Sequence, residues 1–125
     1  MFDIADNENS IQLIREFYDA GKYIVALCHG SAALVNVKLA DGSYLVAGEK
    51  VTGFSDAEEV DAKRPFDMPF HLQDALNNSS GGHYEKAEQS WASHVTDNPD
   101  KKLLMGQNPG SARDLAELLL KKLSG

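Results

Sequence analysis

Cys28 is the single cysteine of the chain, and it closes the apolar run Tyr23-Ile24-Val25-Ala26-Leu27. His29 and Gly30 follow at once, and then the small residues Ser31-Ala32-Ala33-Leu34. Strand, nucleophile, tight turn, helix is the order by which α/β enzymes expose a nucleophile at the carboxyl end of a strand. The thiolate reacts, not the thiol. The order therefore predicts a depressed Cys28 pKa, because a helix N-terminus would aim N–H groups and the positive end of its dipole at the sulfur. The same N–H groups would hold a developing oxyanion. A thiolate of this kind would also be the first site oxidised under peroxide. The competing assignment is a buried structural cysteine, and the Cys-His-Gly punctuation favours the elbow.

His29 is the adjacent candidate for acid–base work, since histidine as a residue type titrates near working pH. Glu58 and Glu59 follow a capping Ser55 or Asp56, a place where carboxylates also serve as ordinary partners of a helix dipole. The other histidines are weaker candidates. His71 lies where it could face a pocket, His83 follows Gly81-Gly82 on a surface loop, and His94 follows Trp91-Ala92-Ser93. His71, His83 and His94 lack the short ligand spacing of a metal site. No Walker-type or dinucleotide-binding glycine motif is present.

The elements that must position these groups follow from periodicity and punctuation. Asn9-Ser10 caps a first helix to about Ala20, with Ile11, Ile14, Phe17 and Tyr18 on one face and Gly21 as its stop. Tyr23 to Leu27 reads as a strand covered on both faces, and Ser31 to Val37 as a helix of about two turns. Asp41-Gly42 signals a hairpin between Val37-Lys38-Leu39 and Tyr44-Leu45-Val46. Val51 to Phe54 is a further short strand. Pro65 to Asn78 reads as a loop plus a short helix, Asn77 to Gly82 as a polar loop, and Tyr84 to Ala87 as a strand. Leu103 to Met105 is a short buried strand. After the turn Gly106 to Gly110, Ser111 caps a last helix whose Ala112, Leu115, Leu119 and Leu123 form a core stripe. Helices alternating with short apolar strands give an α/β class.

The 125 residues fit one domain, 1–125, able to bury a modest core. A net charge of −7 argues against nucleic acid. The pairs Lys63-Arg64, Lys101-Lys102 and Lys121-Lys122 read as solvated surface. One cysteine excludes an intrachain disulfide and points to a reducing, cytoplasmic compartment. No run approaches about 18 apolar residues, so no membrane span is expected. Met1 to Asp6 lacks the pattern of a signal peptide.

Four segments carry a resemblance: Ala26 to Leu34 around Cys28-His29-Gly30, Val51 to Glu59, the lid-like Pro69 to Leu76, and Met105 to Ala112. Together they resemble the ThiJ/PfpI superfamily, and within it the heat-shock-chaperone branch of glutathione-independent glyoxalases (glyoxalase III, D-lactate dehydratase type). The resemblance runs from Phe2 to the last helix. It implies a flavodoxin-like three-layer sandwich related to class I glutamine amidotransferases. In that family roughly a hundred residues, enough for three βα units, precede the Cys strand. They supply an acid facing the thiol and a Gly-Gly-His-Gly-type loop that donates to the oxyanion. The chain therefore resembles the C-terminal portion of a member, with a fold incomplete at its N-terminus.

The resemblance also implies a lyase chemistry. Cys28 attacks the aldehyde carbon of methylglyoxal or another 2-oxoaldehyde, a proton shift gives a lactate thioester, and water releases the hydroxy acid. His29 is implied as the base or acid and Glu59 as the carboxylate that orients it, with Glu58 as the alternative. No glutathione, cofactor or metal is implied. Two other readings remain open. One is a stress-response deglycase or holdase chaperone of the same family. The other is a catalytically incomplete association module. The implied partners are the small 2-oxoaldehyde and further copies of the chain, as a homodimer or other self-association, with no nucleic acid and no membrane.

Overall fold

A computed structural model describes residues 3–62 and 69–124. Met1-Phe2, Lys63-Arg64 and the start of the segment predicted from Pro65 lie outside the described residues. The Asn7 side chain accepts a hydrogen bond from the Ser10 N–H and opens helix α1 (Glu8–Asp19), two residues before the predicted cap. Gly21, at φ +74°, stops it as predicted. There follow strand β1 (Ile24–Leu27), a 3-10 segment (Cys28–Leu34), helices α2 (Asp56–Asp61) and α3 (Leu72–Ser80), and strands β2 (Val95–Asn98) and β3 (Leu103–Gly106). A 3-10 turn (Pro109–Ser111) then leads into helix α4 (Ala112–Ser124).

The strand order is β1-β3-β2. β3 is buried along its whole length. It pairs in parallel with β1, from Ile24 opposite Leu103 to Leu27 opposite Gly106, and antiparallel with β2. A Cβ at Gly106 would sit 2.8 Å from Leu27 Cδ1 and 3.2 Å from Leu115 Cδ2. The glycine thus allows α4 to close on the strand ends. One cluster joins Ile24 and Ala26 to Leu34, Leu45, Leu76 and Met105. The result is an α/β fold with a small mixed sheet, which places the ends of β1 and β3 beside the start of α2.

Several predicted elements take a different form. The helix expected over Ser31 to Val37 is the 3-10 segment, beginning at Cys28 itself. Gly30 within it disfavours an α-helix. The Asp41-Gly42 turn forms, with Gly42 at φ +86° donating to the Leu39 carbonyl, but only the Lys38–Tyr44 pair bridges across it. The strands expected at Val51 to Phe54 and Tyr84 to Ala87 reduce to a single parallel bridge between Val51 and Tyr84. β2 is absent from the predictions, because Val-Thr-Asp-Asn has none of the alternation that marks a strand.

Two expected core faces are not covered. β1 is an edge of the described sheet, and its Val25 is exposed. Of the α4 stripe only Leu115 is buried, while Ala112 and Leu123 are exposed. Among the described residues no helix is long and apolar enough to cross a membrane.

Candidate active site

Cys28 stands where β1 ends, at φ +58°. A left-handed conformation is costly for a residue with a Cβ, and such strain gathers at functional turns. It turns the chain sharply out of the sheet and leaves the sulfur half-buried. His29 packs its ring on Phe54, with centroids 4.4 Å apart. Its Nδ1 lies 3.9 Å from Cys28 Sγ, and its Nε2 is hydrogen-bonded to Glu59 Oε1. A proton on Nε2, donated to Glu59, leaves the Nδ1 lone pair facing the sulfur. Glu59 itself is buried, and its Oε2 has no partner among the described residues.

The predicted low pKa of Cys28 is corrected by this environment. Burial of the thiol pushes its pKa up. The backbone N–H of His29 pulls it down, and the charges of Glu58 and Glu59 push it up again. The helix dipole invoked from the sequence is weak here, because a 3-10 segment starting at the cysteine has poorly aligned N–H groups. A proton acceptor beside the sulfur, rather than a standing thiolate, is what the geometry supplies.

The two neighbouring glutamates separate. Glu59 faces His29, whereas Glu58 turns inward and is fully buried. Ser55 caps α2 in a capping box with Glu58. Glu58 Oε1 accepts from the Ser55 N–H at 3.1 Å, the Ser55 hydroxyl at 3.0 Å and Gln107 Nε2 at 2.9 Å. Its Oε2 accepts from the Trp91 N–H at 2.8 Å and Asn108 Nδ2 at 2.7 Å. Burial alone would push the Glu58 pKa up, but these donors outweigh it and hold the carboxyl below its usual range.

Trp91 and Phe54 extend the site. The Trp91 ring meets Phe54 edge-on at 5.3 Å, so His29, Phe54 and Trp91 form a continuous aromatic wall. Trp91 also sits at φ +70°, and its indole N–H donates to Asp61 at 3.2 Å. Sequence reasoning named Trp91 only as a neighbour of His94 and did not single out Phe54, Gln107 or Asn108. Adjacent amides directly after a buried strand were the available signal.

The remaining histidines stand apart from this arrangement. His71 is exposed at the start of α3, with Nδ1 3.6 Å from Asp56 Oδ1. Asp56, His71 and Asp74 bring one ligand-type atom each within 4.8 Å of one another, a proximity the linear spacing does not reveal. His83 is exposed, as expected. His94 pairs with Glu85 at 3.2 Å.

No family model matches the chain. A probable glutathione-independent glyoxalase of Schizosaccharomyces pombe is 28% identical, over 99% of this chain and 56% of the relative. The crystal structure of glyoxalase III from Candida albicans superposes with a TM-score of 0.83 at 26% identity, covering 96% of this chain and 51% of that one. The Rapid Encystment Protein 24 kDa of Francisella tularensis superposes with a TM-score of 0.90 at 35% identity, covering 98% and 52%. The chain spans about half the length of the relatives it matches. Its homologues include glutathione-independent glyoxalases, and its fold is similar to that of an Anabaena variabilis protein containing a DJ-1/ThiJ/PfpI-like domain, with a TM-score of 0.60 at 20% identity, covering 97% of this chain and 26% of that one.

Proposed function

We propose that the chain, as a single ThiJ/PfpI-like domain portion, carries the nucleophile, base and orienting carboxylate of a glutathione-independent glyoxalase acting on methylglyoxal or a similar 2-oxoaldehyde. The observation that carries this reading is the His29 ring held between Cys28 Sγ and Glu59. His29 Nδ1 takes the thiol proton as Cys28 Sγ bonds to the aldehyde carbon, and the resulting alkoxide is protonated to a hemithioacetal. Transfer of the aldehyde carbon's proton to the neighbouring carbonyl carbon, by way of an enediol, gives a lactate thioester. Water then cleaves the C–S bond, releases lactate and returns the proton to sulfur. The sum is methylglyoxal plus water to lactate, with no net oxidation. Glu59 stabilises the imidazolium formed during the first and last transfers. A raised thiol pKa suits this sequence, because the proton leaves as the bond forms.

The test is lactate formation from methylglyoxal without glutathione, by a polypeptide that contains this chain, compared with its Cys28→Ala form. Lactate formed by the parent and lost in the variant supports the reading. Retained turnover in Cys28→Ala rules out the covalent route.

A second reading is favoured by a separate observation. Leu13, Phe17, Val25 and Leu123 are exposed around the free edge of β1. Such a surface fits an association module or a holdase that binds apolar segments.

A further inference from the structure

We propose that Glu58 is a positioning residue, whose buried carboxylate ties α2, the Trp91 loop and the turn after β3 into one clasp and so sets both sides of the Cys28–His29 site. The inference rests on the reading of Cys28, His29 and Glu59 as the reacting centre. Its geometry stands on five donors to one fully buried side chain, drawn from three separate segments.

Each arm of the clasp reaches a group that touches His29. Glu58 is the third residue of α2 and Glu59 the fourth, so fixing one side chain fixes the direction in which the next leaves the helix. That direction is toward His29 Nε2. On the other side, the Trp91 N–H donated to Oε2 belongs to a residue at φ +70°, a conformation that persists only where its surroundings hold it. Asn108 Nδ2 reinforces the hold by bonding both Glu58 Oε2 and the Ala92 carbonyl, each at 2.7 Å. Gly110 completes it, since a Cβ there would meet the Trp91 carbonyl oxygen at 2.7 Å. Trp91 then backs Phe54, which backs the His29 ring.

Glutamine cannot replace Glu58 neutrally. Every donor faces one of the two carboxylate oxygens, so an amide NH2 in either place sets donor against donor.

The experiment uses two signals independent of turnover. Trp91 is the sole tryptophan, so intrinsic fluorescence reports its loop. In protein labelled with 15N-histidine, the His29 Nε2–H resonance reports the bond to Glu59. Glu58→Gln is expected to red-shift Trp91 emission and to lose the His29 resonance, as Glu59→Gln does, with the far-UV circular dichroism unchanged. In a Glu59→Gln background, adding Glu58→Gln should still red-shift Trp91 emission, because that arm runs through the Trp91 loop and not through Glu59. An unchanged His29 resonance in Glu58→Gln, or a Trp91 emission that Glu58→Gln leaves unchanged in either background, overturns the proposal. If Glu58→Gln unfolds, Asn108→Ala decides: a red-shifted Trp91 supports the clasp and an unchanged one refutes it. These signals hold whether or not the protein makes lactate, so failure of the glyoxalase reading is distinguishable from failure of this one.

Discussion

The carboxyl end of β1 and the free edge of β1 belong to the same short strand and differ in how far the chain satisfies them. At the carboxyl end, Ser55, Glu58, Gln107, Asn108 and Ser111 are buried and joined by hydrogen bonds. At the edge, Leu13 is 54% exposed, Phe17 49%, Val25 39% and Leu123 65%. Buried polar groups are costly unless paired, so a fully paired cluster specifies one geometry. An open apolar face specifies a need for another surface and not its identity. The Glu58 side of the corner is thus built by segments within this chain, while Glu59 Oε2 has no partner and β1 is an open edge among the described residues.

The largest effect that separates the two regions is chemical. In a longer polypeptide that contains this chain, Cys28→Ala is expected to lower lactate formation by roughly a thousandfold or more, the usual scale for losing a nucleophile. Light scattering of the same variant should show the parent's association state. A change in association would mean that the corner and the edge are not independent.

A leucine from each region gives the next contrast. Leu104 is fully buried in β3, and Leu104→Ala should destabilise by about 2–5 kcal/mol. Leu123→Ala, on the open face, should change stability by less than about 0.5 kcal/mol. Urea unfolding followed by circular dichroism measures both. A large loss for Leu123→Ala would show that the face is covered in solution by another copy.

The same division governs what the sequence reveals. The sharp turn at Cys28, the Gly21 stop, the Ser55 cap and the Leu103 to Met105 strand are signalled by a few adjacent residues and form, whereas the helix expected after Cys28 is a 3-10 segment. The pairing of His29 with Glu59 spans 30 positions, and spacing alone leaves Glu58 and Glu59 equivalent. Only the capping box, which turns Glu58 inward, separates them. β2 is hidden because its polar residues gain strand structure from pairing with β3, not from their own propensity. The α1 and α4 stripes are correctly amphipathic, but periodicity cannot say whether a face is covered.

A more modest effect is expected at the open face. The chain on its own is expected to self-associate through the β1 edge and to show little lactate formation. Phe17→Glu should lower the mass seen by light scattering toward that of one chain, by placing charge where a second copy would dock. Stability should change by no more than about 0.5 kcal/mol, as for other exposed positions. A parent that is already monomeric, with cooperative unfolding, would remove the edge from the account.

The smallest effect concerns the thiol itself. Burial and two carboxylate charges raise the Cys28 pKa against one backbone N–H that lowers it. Raising the pKa of an acid disfavours its ionised form, so alkylation by iodoacetamide should reach half its maximal rate at a pH above the free-thiol value of about 8.5. Glu59→Gln removes a negative charge that favours the protonated thiol, and the midpoint should move down. At a fixed pH just below the midpoint, the variant's thiol should therefore alkylate faster, although its catalytic constellation is broken. Phe17→Glu, on the open face, should leave the midpoint where it is. A parent midpoint below that of a free thiol would restore the dipole-activated thiolate read from the elbow. An equal shift in Phe17→Glu would mean that the two regions share one electrostatic environment, and the distinction between the hydrogen-bonded corner and the exposed edge would fail.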